Sequence, residues 1–93
     1  MSTPTVPKIE YAAFDAMCEV ASSLKAAYMR RAVETDSQME IDYWVLQRKF
    51  VVDAIRATDQ TNRDEILRNA HFFATLLKSL NANPGPRSEQ EAA

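Results

Sequence analysis

Glycine is almost missing from this 93-residue chain: Gly85 is the only one, and the prolines are confined to positions 4, 7, 84 and 86. From Lys8 to Asn83 the sequence therefore runs without either helix breaker, which argues for an all-α chain. The single cysteine, Cys18, excludes an intrachain disulfide and suits a reducing compartment, so the expected location is cytoplasmic. No glycine-rich loop is present to cradle a phosphate. No charged leader followed by an apolar stretch opens the chain, so no secretory signal is expected. The longest apolar-rich run, Ile66 to Leu80, is broken by Arg68, Asn69, His71 and Lys78, and it is too short to span a bilayer. No membrane association is expected.

Clustered chemistry is missing too. His71 is the only histidine, and one His with one Cys does not make a metal site. Glu65 lies six residues from His71 rather than the three of a di-metal helix motif. A Cys–His nucleophile pair is not expected, because Cys18 falls on an apolar helical face where a core role explains it better. The chain is thus read as a non-enzyme with no cofactor, no metal and no catalytic residues. An excess of basic charge is absent as well: 11 Lys and Arg stand against 13 Asp and Glu, for a net charge of −2. Phosphate neutralisation supplies most of a nucleic-acid binder's affinity, so this balance argues against such a partner.

What is present is helical patterning. Residues 1–7 form a lead-in, 8–83 one α-helical domain, and 84–93 a polar tail expected to be disordered. Pro7 fits the first turn of helix one, read over 8–33. At about 100° per residue, Tyr11, Phe14, Met17, Cys18, Ala21, Leu24 and Tyr28 share one side of that helix. Asp15, Glu19, Ser22, Ser23 and Arg30 take the other. Glu34-Thr35-Asp36-Ser37 is a polar break, with Thr35 or Asp36 expected to cap helix two, 37–57. After a second break, Asn62 and Glu65 match a capping box at the start of helix three, 62–80. Its stripe is Ile66, Ala70, Phe73, Leu77 and Leu80, flanked by Leu67, Phe72, Ala74 and Leu76. Asp64 and Arg68 have the order of an i,i+4 ion pair, and Asn81 is the expected left-handed cap at its end.

Helix two is the organising element in this reading. It carries two apolar groups on opposite sides: Met39, Tyr43, Leu46, Phe50, Ala54 and Ala57, and then Ile41, Trp44, Val45, Val51, Val52 and Ile55. Asp42, Lys49, Asp53 and Arg56 fill one gap between them, Glu40 and Gln47 the other. In a closed bundle a helix buries one contiguous arc, so two opposed stripes imply either an open layering or a second chain. Helices one and three each show one arc, and both can share the Met39–Tyr43–Leu46–Phe50 side. That leaves Ile41, Trp44, Val45, Arg48, Val51, Val52 and Ile55 as the expected partner-binding residues, with Arg48 placed to meet an acid.

The expected fold is therefore an all-α three-helix domain, dimeric through its central helix or docked to another protein. The expected function is a small protein-binding module that occupies a partner's surface, as inhibitors, antitoxins, immunity proteins and chaperones do. A helix-turn-helix regulator and a structural dimerisation element are the alternatives.

Overall fold

The computed structural model describes residues 8–83. The lead-in, the Pro7 first turn and the tail lie outside them. Three helices form, α1 over Tyr11–Glu34, α2 over Gln38–Ala57 and α3 over Arg63–Ala82, with no strand among the described residues. The all-α, three-helix expectation holds, with boundaries shifted by one to three residues.

Each junction has a local cause. α1 starts later than expected, at Tyr11, because Glu10 is held outside the helix: its N–H donates to the Gln60 carbonyl at 2.9 Å, and its carboxylate meets Arg63 at 3.6 Å. Ser37 caps α2 in place of Thr35 or Asp36, its hydroxyl accepting from the Glu40 N–H at 3.3 Å. Thr35 is occupied differently, accepting from the Ser37 N–H at 3.2 Å and bonding the Glu40 carboxylate through its hydroxyl. Asn62 caps α3 as expected, accepting from the Glu65 N–H at 3.1 Å. The return half of that box goes elsewhere, since the Glu65 carboxylate accepts the Asp59 N–H.

At the far end α3 runs through Asn81 to Ala82, so the left-handed cap expected at Asn81 is not made. Asn83 ends the helix with φ −120° instead. Its N–H reaches the Ser79 and Leu80 carbonyls, and Arg31 of α1 donates to the Leu80 carbonyl at 2.8 Å and the Asn83 carbonyl at 2.6 Å. With the last carbonyls satisfied that way, the end needs no φ > 0 residue. The Asp64–Arg68 pair does not close; the helical ion pair that does is Lys49–Asp53 at 2.8 Å.

These ties set the topology. Glu10 sits by the start of α3 and Arg31 by its end, so α1 and α3 lie side by side in the same direction. The three-residue connection Thr35–Ser37 turns α2 back antiparallel to α1. α1 packs closely against both other helices, whereas the α2 and α3 backbones hardly approach each other. The central helix is therefore α1, which corrects the expectation that α2 takes that place. The reason lies in side-chain size. α1 buries Ala13, Met17, Ala21, Leu24, Ala27, Tyr28 and Ala32, and its alanines let two backbones come near over a broad arc. Tyr11, expected in the α1 stripe, is 69% exposed.

One core joins the three helices. Met17, Leu24, Val51, Ile66 and Phe73 are its largest fully buried side chains. Each contributes about 1.5–3 kcal/mol, as a fully buried large apolar side chain does. Thr58 is the buried polar residue; its hydroxyl donates to the Ala54 carbonyl at 2.7 Å and accepts from the Asn69 amide at 2.8 Å. No buried side-chain nitrogen or oxygen among the described residues lacks a partner.

Candidate functional site

The structure turns α2 the other way from the sequence reading. Val51 is fully buried, and Trp44 and Ile55 pack against the core; of the side expected to pack inward, only Ala54 does so. Trp44 is fixed on α1: its ring stacks on Tyr28 with centroids 5.9 Å apart, and the Arg31 guanidinium sits 5.6 Å from its centre. Of the other residues expected at a partner surface, Ile41 and Val52 are half-buried, while Val45 and Arg48 are exposed. The side expected to pack on helices one and three is the one left outside. Met39 is 82% exposed, Leu46 61%, Phe50 56% and Tyr43 53%.

The physical reason is the charge on the helix. Asp42, Lys49, Asp53 and Arg56 are all exposed and define the solvent side of α2. The core lies opposite them, through the gap that holds half-buried Gln47. Both apolar stripes are then shoulders of one broad arc. The Trp44–Val51–Ile55 shoulder turns inward, because Tyr28 and Arg31 offer Trp44 a stacked, cation-bearing partner. The Met39–Tyr43–Leu46–Phe50 shoulder stays out, with Tyr43 edge-on to Trp44 at 4.9 Å.

On α3, Phe72 is a further exposed aromatic residue. Phe50, Ala54 and Thr58 form one i,i+4 row along α2, and Asn69 with Phe72 forms an i,i+3 pair on α3. Asn69 bonds Thr58, so the flank of α3 that carries Phe72 is the one turned toward α2. Phe72 is 47% exposed. The polar edge on the other side of the face is Asp42, Lys49 and Asp53, held by bonds along the helix: Gln38 to Asp42 and Lys49 to Asp53, each at 2.8 Å. These exposed pairs restrain their side chains only weakly.

Elsewhere the surface offers little chemistry. The Cys18 thiol is pushed up from its ordinary value, first by burial and then by Asp15, against a smaller pull from Lys25. It is a protonated packing residue at neutral pH. Burial, followed by the nearby Tyr43, raises the Tyr28 hydroxyl in the same way. Among the described residues no group of three or more His, Cys, Asp or Glu could hold a metal ion. No described helix is long and apolar enough to cross a membrane. An open groove of about 520 Å³ runs along the α1–α3 seam over Val20, Ala74 and Leu77, with Glu19 and Lys78 at its rim. It holds no convergent buried polar group that would orient a ligand. Compared with protein-family models, curated proteins and solved structures, the chain finds no match in any of the three.

Proposed function

We propose that this chain is a small protein-binding module that works by laying the Met39–Tyr43–Leu46–Phe50 face of α2 on another polypeptide. The observation that carries the reading is that face itself: four large apolar side chains in one helical stripe, each more than half exposed. Helix-in-groove recognition uses anchors at i, i+4, i+7 and i+11 in this way, and an isolated small domain gains nothing by keeping them wet. Occupying a surface needs no catalytic group. Inhibitors, antitoxins, immunity proteins and chaperones act by such occupation. The free cysteine suits a reducing interior, and we place the protein in the cytoplasm.

A DNA reader of the helix-turn-helix type receives less support. That motif packs its second and third helices on one another, whereas here the α2 and α3 backbones hardly meet. Asp64 and Glu65 also occupy the first turn of α3, where phosphates would sit.

The test compares capture of proteins from the native host by the wild-type chain, Leu46→Asp and Val52→Asp. Leu46→Asp should lose a protein that the wild type and Val52→Asp both retain. Equal recovery by wild type and Leu46→Asp would remove the α2 face from the mechanism.

A further inference from the structure

The partner for which the α2 face is best built is a second copy of this chain. Resting on the docking reading above, we propose that two copies pair antiparallel through α2 across a two-fold axis at a level between Trp44 and Val45. Three observations carry this.

The first is the symmetry of the anchors. Met39 and Phe50 are equidistant from a point between Trp44 and Val45, and so are Tyr43 and Leu46. Antiparallel pairing about that point sets Met39 of each copy against Phe50 of the other, and Tyr43 against Leu46. All four anchors then find an apolar partner, as a self-complementary two-fold interface requires.

The second is charge. Asp42 and Lys49 are seven residues apart, two turns of helix, and so share one edge of the face. In an antiparallel two-fold pair each edge meets the same edge of its copy. Lys49 then comes within about two residues, roughly 3 Å along the axis, of the partner copy's carboxylate at position 42. A lysine spans that offset. The contact forms twice per dimer, opposite in sign each time, while the existing Lys49–Asp53 pair is exposed and easily exchanged.

The third is area. An aromatic side chain presents about 150–250 Å² in all, so half-exposed Tyr43 and Phe50 offer roughly 100 Å² each. Met39 and Leu46 are exposed to a similar or greater fraction. The apolar patch is thus roughly 400 Å² per copy, most of the two-thirds apolar share of a standard interface of about 800 Å² per partner.

The experiment is sedimentation equilibrium on the full chain, with Asp42→Lys and Lys49→Asp made separately and then mixed. Both substitutions are at exposed positions, and circular dichroism melts verify that each variant is folded. The wild type should be a dimer. Each single reversal sets like charges against each other twice and should weaken the dimer about tenfold. An equimolar mixture restores both attractions and should pair as a heterodimer with near wild-type affinity. A dimer that survives both reversals and Leu46→Asp overturns the arrangement, and so do two monomeric reversals that fail to pair when mixed. A monomeric wild type overturns the self-pairing; if Leu46→Asp still loses a captured host protein, the docking face stands with a foreign partner. A monomeric wild type whose capture ignores Leu46→Asp removes both.

Discussion

α1 and α2 are helices of similar length with opposite relations to their own apolar residues. α1 buries seven residues, four of them alanine. α2 buries only Val51 and leaves Met39, Tyr43, Leu46 and Phe50 outside. The helix with the smaller side chains is the interior one. Burial here follows the number of neighbours a helix touches, and small residues make room for two. A helix with one close neighbour buries only a narrow arc, Val51 on α2 and Ile66 with Phe73 on α3, and the large apolar residues of α2 outside that arc stay exposed. They become surface, and the chain carries a face suited to another polypeptide.

The sharpest way to break that contrast is the same substitution on both helices. Leu24→Ala in α1 removes a fully buried side chain and should lower stability by about 2–5 kcal/mol. Leu46→Ala in α2 should change the unfolding free energy of dilute protein by no more than about 0.5 kcal/mol. Urea unfolding of both variants settles it. Comparable losses would mean that the Leu46 face is covered within the chain. At high protein concentration Leu46→Ala should become the costlier of the two relative to its dilute value, because it then also weakens association.

Arg31 joins the two regions, and its loss should rank next. Its guanidinium donates to two α3 carbonyls and sits over the Trp44 ring of α2. Arg31→Ala should cost about 1.5–3 kcal/mol through the charge-assisted bonds alone. Arg31→Lys should recover only part: both bonds come from one guanidinium nitrogen, which an ammonium can replace, but the compact, strongly hydrated ammonium lacks the planar cation that faces the indole. Trp44 fluorescence reports the second role: its emission should shift red in Arg31→Ala well before unfolding. An unchanged spectrum would confine Arg31 to α3.

The three helices were legible from the missing glycine and proline, and the α3 cap from Asn62 and Glu65. Two things were not. The centrality of α1 is hidden because alanine scores weakly in any apolar pattern; Ala13, Ala27 and Ala32 carry the packing, and periodicity favoured Tyr11 and Phe14 instead. The inward side of α2 is hidden because its stripes match in apolar content. The deciding signal was present in the charges: four charged residues fill one gap and only Glu40 and Gln47 the other, so the core lies on the Gln47 side. The Ser37 cap was masked by rivals, since Thr35, Asp36 and Ser37 all suit the role. Capping-box spacing does not separate them either, since Thr35 precedes Gln38 by three residues as Ser37 precedes Glu40.

The smallest effect lies in the turn between α2 and α3, where pH separates a local bond from the packed helices. The Asp59 carboxylate accepts the Thr61 hydroxyl at 2.6 Å and the Thr61 N–H at 2.9 Å. The hydroxyl bond first and the N–H bond second hold it below the usual carboxylate range, against a small opposing contribution from burial. A carboxylate depressed in the folded state adds stability above its unfolded value, about 3.9, and loses it as pH falls through the lower folded value. Wild type should therefore be slightly more stable than Asp59→Asn at neutral pH, and that margin should shrink as pH falls below about 4. Asparagine keeps the turn geometry without a titrating charge, so the margin isolates ionisation from shape. A margin that stays constant through this range in urea titrations would mean the Asp59 bonds persist equally in the unfolded chain. The Leu24→Ala deficit should not change across the same window, because the titrating groups of that core cluster, Tyr28 and Cys18, are raised from their ordinary values and stay protonated throughout it. A pH-dependent deficit there would show that the turn and the α1 core are energetically coupled.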